Sequence, residues 1–124
     1  MEKEMLRVIE GTCHLSGADF EFNYDRGYPV LINHKEETEF VMNVAETIPE
    51  VRRIKETEPI MGGEDYSYYL QEVKGTYFFT GAQPENSNNP YPHHHPKFDI
   101  DEKALVIAAK ILAKSTVEYM QKNK

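Results

Sequence analysis

The chain has 124 residues, a formal net charge of −7 at pH 7 and one cysteine. This length fits a single domain, and the negative charge argues against non-specific binding to nucleic acid or to anionic membranes. One cysteine excludes an internal disulfide framework, and without a secretory-type leader or a long apolar run we expect a cytoplasmic protein that does not span a membrane.

The first 33 residues predict one helix followed by extended segments. Apolar residues recur at spacings of three and four, which is typical of one helix face, and Gly17 follows them as a left-handed helix end. This face consists of Met5, Leu6, Ile9 and Cys13. Apolar and polar residues then alternate over 20–24 as on a half-buried strand, and 28–32 continues in extended form. Since one helix and one or two strands cannot close a core, this segment should be half of a small sheet-and-helix unit.

Residues 33–55 predict a second helix and a short strand. Asn33 fits the N-cap position, and Glu36 completes a capping box three residues later. The helix should end before Pro49, and residues 51–55 then suit a short strand. The inward stripe of the helix consists of Phe40, Val41, Val44, Ala45 and Ile48.

The stretch Gly62-Gly63-Glu64-Asp65 opens a third predicted helix. Paired glycines let a backbone approach a ligand closely, whereas acidic residues in a first helical turn are also ordinary capping, so both interpretations stay open. Residues 76–80 form a continuous apolar run that predicts a buried strand leading into a long polar loop. Strand ends that open into such loops are where sheet-based sites lie.

The loop from Gly81 to Glu102 holds three of the chain's five histidines between prolines. Loops of this length are uncommon unless they are functional or disordered, and neutral imidazole is the commonest side chain offered to zinc and similar metals. In an extended segment His93 and His95 share one side while His94 points to the other, so all three cannot bind one ion. From the residues alone, metal binding and a plain solvent-exposed loop are equal alternatives.

The end of the chain predicts a last helix that is structural, with Asp101 as its cap. We expect it to combine an apolar stripe facing the core with a row of lysines facing water. The stripe consists of Ala104, Leu105, Ala108, Ile111, Leu112 and Tyr119. The lysines are Lys103, Lys110, Lys114 and Lys122.

Five strings of residues add a resemblance that spacing could not supply. Met61–Leu70, Gly75–Gly81 and His94–Leu105 resemble the C-terminal signature of metal-dependent amidohydrolases. That family is typified by hippurate hydrolase, N-acyl-amino-acid deacylases and indole-acetyl-amino-acid hydrolases, and it is related to metallopeptidases of the carboxypeptidase G type. Ile9–Ala18 and Asp25–Pro29 resemble the second half of the small lid domain that the family often uses for dimerisation.

The resemblance implies an α/β fold in two parts. Residues 34–124 would form the C-terminal part of a zinc-peptidase-like catalytic domain, which is a mixed sheet with flanking helices. Residues 1–33 would form half of an α+β lid domain. A family member is roughly three times as long, so the chain resembles its last third.

The resemblance also implies roles for individual residues. By position, His94 matches the last ligand of a site for two divalent ions (zinc, manganese or cobalt), whereas His93 and His95 have no inherited role. Gly62, Gly63 and Glu64 match a stretch that lines the active site near the substrate. The other ligands and the Glu that acts as general base belong to a part of the family chain that this sequence lacks, so no catalytic residue is assigned here.

Three hypotheses follow. In the first, the chain is a fragment of an amidohydrolase that cleaves the amide bond of N-acyl amino acids or peptide-like substrates. It would be inactive alone, bind no metal tightly and self-associate through uncovered apolar surface. In the alternative, it is a non-catalytic module that binds a single metal or a partner through the His93–His95 loop and behaves as a monomer. In the third, the histidine loop is a nickel or zinc store.

Overall fold

The computed structural model describes residues 1–87, 90–122 and 124. It contains four helices, which are α1 (Glu2–Ser16), α2 (Lys35–Glu46), α3 (Tyr66–Glu72) and α4 (Lys103–Lys122). The described segments between the helices are turns, bends and irregular backbone, without a β-strand. All four predicted helices are therefore present at the expected places.

The predicted mixed sheet is wrong for the described residues, and so are the strands of the predicted lid half. A strand needs a neighbouring backbone to pair with, and an apolar alternation cannot supply one. In residues 76–80, the backbone of Tyr77 pairs with the side chain of Asn33 and not with another strand. The Asn33 amide donates to the Tyr77 carbonyl at 2.8 Å, and the Tyr77 N–H donates to Asn33 Oδ1 at 2.7 Å. A single backbone bond, from the His34 N–H to the Gly75 carbonyl at 3.1 Å, lies beside this clamp.

The core lies where α2 and α4 pack together. Its buried centre consists of Ala45, Ile48 and Ile111. Partly buried side chains surround this centre: Val41, Val51, Ile54, Phe78 and Ile107. The predicted inward stripe of α2 is thus confirmed at its C-terminal half. The predicted stripe of α4 is wrong at Leu105 and Leu112, which are 59% and 58% exposed.

Two helix ends follow the local chemistry that the sequence predicts. Gly17 ends α1 with φ 65°, as its lack of a Cβ predicts, and the Asp101 carboxylate accepts the Lys103 N–H at 3.0 Å at the start of α4. At α2, however, the N-cap residue is His34 and makes no side-chain capping bond. The predicted capping box is wrong because the Asn33 amide is already engaged with the Tyr77 backbone.

The chain exposes far more surface than a compact protein of its size. Its accessible area is 10987 Å², and α1 has no buried residue. A compact monomer of the same mass would expose about 6,800 Å², so the excess is roughly 4,000 Å². None of the described helices is both long enough and apolar enough to cross a bilayer.

Candidate functional site

The three histidines lie in a tight turn rather than in extended backbone. The His95 N–H donates to the Pro92 carbonyl at 3.2 Å, and the Phe98 N–H donates to the His95 carbonyl at 2.9 Å. His94 has φ 68°, and in the described part of the chain it is the one non-glycine residue with a positive φ. This left-handed conformation costs an L-residue roughly 1–2 kcal/mol. The expected extended arrangement of His93, His94 and His95 is therefore wrong.

The two histidines beside His94 are held by neighbours within the loop. The His95 ring stacks on Tyr91 with centroids 4.2 Å apart, and its Nδ1 accepts the Lys97 backbone N–H at 3.1 Å. The His93 ring meets Phe98 edge to face at 4.9 Å. The exposed His94 imidazole has no hydrogen bond or ring contact to any described residue. Of the three imidazoles, His94 is therefore the one without a ring contact or hydrogen bond in the described part of the chain.

The loop that carries His94 is tied at both ends. The Asp101 N–H donates to the Ala82 carbonyl at 2.8 Å, which brings the start and the end of the loop together. The Asp101 carboxylate also caps α4 through the Lys103 N–H. Residues 88 and 89 of this predicted site loop lie outside the described part of the chain.

The Gly62-Gly63-Glu64 stretch packs against the N-terminal part of the chain. A Cβ built on Gly63 would lie 3.2 Å from a ring carbon of Tyr28, so this position has little room for a side chain. Glu64 Oε1 accepts the Tyr66 N–H at 3.2 Å, and the Glu64 carbonyl accepts the hydroxyl of the fully buried Ser67 at 2.7 Å. Glu64 therefore accepts the backbone N–H of the first residue of α3, whereas the N-cap residue is Asp65, which makes no side-chain capping bond.

Hydrogen bonds hold Glu64 in its ionised form. The Tyr66 backbone N–H, and after it the Tyr77 hydroxyl, lower the pKa of Glu64 below its ordinary value. Burial, followed by the Glu64 carboxylate, raises the pKa of Tyr77. Tyr77 thus stays protonated as a donor while Glu64 stays an acceptor.

Sequence reasoning missed an aromatic cluster next to Glu64. Its ring centroids are 5.7 Å apart for Tyr66 and Tyr69, 5.8 Å for Tyr66 and Tyr77, and 5.4 Å for Tyr77 and Phe79. Tyr69 and Phe79 remain 64% and 58% exposed. The spacings of three and two between these residues were visible in the sequence, but they were attributed to a helix face and to a buried strand.

Among the described residues, no group of three or more His, Cys, Asp and Glu side chains is arranged to hold a metal ion. No hydrogen bond or ring contact joins His94 to Glu64 in that part of the chain either. His94 fits one coordination position, whereas a catalytic zinc needs about three protein ligands and a water. The described residues therefore do not by themselves provide the ligands of a complete catalytic zinc site.

Comparison with known proteins decides between the hypotheses. The model of the peptidase family M20/M25/M40 matches residues 4–118. The chain belongs to this family. The resemblance inferred from Met61–Leu70, Gly75–Gly81 and His94–Leu105 is thereby confirmed.

Three relatives of this M20 chain have hydrolase or peptidase names and are about three times its length. It is 50% identical over 121 residues to "Putative amidohydrolase YhaA" of Bacillus subtilis, covering 98% of this chain and 31% of that one. It is 37% identical to Thermostable carboxypeptidase 1 of Saccharolobus solfataricus, covering 95% and 30%. A crystal structure of a "putative aminohydrolase" from methicillin resistant Staphylococcus aureus matches with a TM-score of 0.79 and 36% identity, covering 95% and 30%. The chain thus spans about three-tenths of the length of these relatives.

Proposed function

We propose that this chain supplies one metal ligand and part of the substrate wall to a cytoplasmic M20-type amidohydrolase. His94 is the ligand, and Gly62, Gly63 and Glu64 line the substrate. The reaction is hydrolysis of the amide bond of N-acyl amino acids or peptide-like substrates. Residues outside this chain provide the remaining ligands and the general base, so the chain alone is inactive.

One observation carries this proposal. His94 combines a strained left-handed backbone at φ 68° with an exposed imidazole, while both neighbouring histidines are engaged by Tyr91, Lys97 and Phe98. Strained conformations of this kind persist only where the surrounding structure enforces them, and they cluster at active sites and ligand clamps. A solvent-exposed loop without a binding role would not be expected to keep His94 in this strained backbone conformation.

The proposed site would take two divalent ions, with zinc, manganese or cobalt as candidates. Bound ions of this type supply an activated water for attack on an amide carbonyl. His94 holds one coordination position from the tip of its turn. Glu64 stays ionised and fixes the start of α3 through the Tyr66 N–H, so that the backbone of Gly62 and Gly63 keeps a defined position against Tyr28.

The division of the chain at residue 33 into a lid part and a catalytic part belongs to the same proposal. Tyr28 supports it as the contact between the two parts, because its ring packs edge to face on Tyr68 at 6.1 Å and lies against Gly63. The excess surface of roughly 4,000 Å² supports self-association of the isolated chain without a defined stoichiometry.

A chimera tests the function directly. This chain would replace the aligned 31% of the YhaA relative, and hydrolysis of hippurate and N-acetyl amino acids would be followed with zinc, manganese and cobalt. We expect metal-dependent turnover that His94→Ala lowers by at least about 100-fold, because a first-coordination ligand is lost. His93→Ala is the matched control and should retain most of the activity.

Two outcomes would contradict the proposal. Equal losses in His93→Ala and His94→Ala would show that the loop, not one imidazole, is needed. Metal-dependent turnover by the isolated chain would show that a complete centre is built from these residues alone.

A further inference from the structure

A small cavity lies between α2, residues 74–76 and the second half of α4. Its volume is about 260 Å³. The rings of Phe40 and Tyr119 line it and meet edge to face with centroids 5.9 Å apart. Val41 and Met120 extend this apolar wall. We refer to the space as the Ser115 cavity, after the serine that also lines it.

One hydroxyl at this cavity lacks a hydrogen-bond partner. Ser115 Oγ is buried and makes no hydrogen bond to any described residue. The hydroxyl of Thr116, which also lines the cavity, donates to the Leu112 carbonyl at 2.9 Å. The hydroxyl of Thr76 lies 3.0 Å from a threonine hydroxyl of α2. Among the serine and threonine residues of the cavity, Ser115 is therefore the one with an unused hydroxyl.

The position of Ser115 makes this unused hydroxyl informative. Ser115 follows the buried Ile111 by one helical turn, on the side of α4 where an apolar side chain would fill the space. Serine leaves the space open, and its buried hydroxyl without a partner is destabilising. A ligand group in the cavity would recover this loss, because the hydroxyl can turn toward it by rotation of one side-chain bond. Apolar walls with few polar groups are typical of ligand sites.

The size and charge of the cavity limit what it can hold. An apolar cavity of about 150 Å³ accommodates benzene, and pockets for drug-sized compounds begin at about 300 Å³. The Ser115 cavity lies between these values and therefore fits a compound with a single ring. Its charged lining residues, Glu37 and Lys74, have opposite signs, and the Lys74 ammonium lies 3.6 Å from the Glu36 carboxylate. This balance of charge favours a neutral ligand over an ion.

We propose that the Ser115 cavity binds a small neutral aromatic compound with one hydroxyl group. The ring of this ligand lies against Phe40 and Tyr119, and its hydroxyl pairs with that of Ser115. The ligand is a free compound, because the cavity has room for a ring but not for a peptide backbone as well. The inference does not depend on the proposed function, since neither His94 nor the 62–64 stretch lines this cavity.

Two matched probes test this site. Because p-cresol is toluene with one added hydroxyl, NMR titration of the chain with each compound measures what that hydroxyl contributes to binding. We expect p-cresol to bind about fivefold more tightly than toluene, since one hydrogen bond is gained. Ser115→Ala should abolish this preference and retain toluene binding. Thr116→Ala removes a hydroxyl that is already bonded to the Leu112 carbonyl, so it is the matched control and should keep the preference. Circular dichroism of each variant checks that the helices are intact.

Four results would overturn this site. Absence of binding by either probe would show that the cavity does not admit a ring. Equal affinities for the two probes, or a preference that survives in Ser115→Ala, would show that Ser115 is not the partner. Tighter binding of N-acetyltyrosinamide than of p-cresol would assign the cavity to a tyrosine side chain of another polypeptide. A lower urea midpoint for ligand-free Ser115→Ala than for the parent chain would show that the hydroxyl is already bonded, because loss of an unpaired hydroxyl leaves stability unchanged or raises it.

Discussion

At the scale of single residues, the backbone of His94 makes a prediction about stability. At φ 68° a Cβ is unfavourable, whereas glycine adopts this region freely. We expect His94→Gly to be more stable than His94→Ala by about 1 kcal/mol in urea unfolding. At His95, where φ is not positive, the order should reverse, because glycine there only adds freedom to the unfolded chain. A common order at both positions would show that the turn is not strained.

The pair of Tyr77 and Glu64 makes a second prediction. The Tyr66 N–H and the Tyr77 hydroxyl lower the pKa of Glu64, so its stabilising contribution is present above the ordinary carboxyl pKa and is lost as the pH falls through the folded-state value. Tyr77→Phe removes one donor and should move the Glu64 pKa upward, toward its ordinary value. Carbon-13 NMR of the Glu64 carboxyl measures this shift, and Tyr68→Phe in α3, which removes a tyrosine hydroxyl that does not lower the Glu64 pKa, should leave it unchanged.

At this scale, the sequence indicated which residues to consider but not the contacts that they make. His94 was singled out by the resemblance at His94–Leu105, and Gly17 by its position after a helical stripe. The strain at His94 and the engagement of His93 and His95 were not visible, because both arise from turn geometry and ring contacts. Nothing in the sequence distinguishes an imidazole stacked on Tyr91 from a free one.

At the scale of elements, the Asn33 side chain makes the backbone hydrogen bonds at Tyr77 that a neighbouring strand would otherwise make. Its amide makes two hydrogen bonds to the backbone of Tyr77, at 2.7 and 2.8 Å. We expect Asn33→Ala to destabilise the chain by about 1–3 kcal/mol, because both backbone groups lose their partner. Hydrogen exchange of the Tyr77 amide should accelerate by the corresponding factor. Asn23→Ala, at an exposed asparagine, is the control and should change neither quantity.

Helices were predictable here and strands were not, for a physical reason. Each helix satisfies its own backbone, so the periodicity at α1, α2 and α4 contains enough information to place it. The segments 20–24 and 76–80 show the side-chain pattern of strands, but a strand depends on a neighbouring backbone that the pattern does not specify. Asn33 illustrates the same limit, since its sequence pattern predicted a cap for α2 but its side chain bonds the Tyr77 backbone instead.

At the scale of the whole molecule, truncating a buried and an exposed side chain of α4 should lower the stability by unequal amounts. Ile111 is 6% exposed and lies in the buried centre, so Ile111→Ala should cost about 2–4 kcal/mol of unfolding free energy. Leu112, its neighbour, is 58% exposed, and Leu112→Ala should cost less than about 0.5 kcal/mol in the isolated chain. Urea unfolding of both variants measures the difference. A large cost at Leu112 would mean that this side chain is buried in the isolated chain.

Asp101 has a wider consequence, because it belongs to the histidine loop and to α4 at once. Its N–H holds the start of the loop at Ala82, and its carboxylate holds the first turn of the helix. A polypeptide that fixes α4 would therefore also fix the position from which His94 reaches an ion. Binding of that polypeptide to α4 and binding of a metal ion at His94 would then be thermodynamically linked. Each binding event would raise the affinity of the other by the same factor.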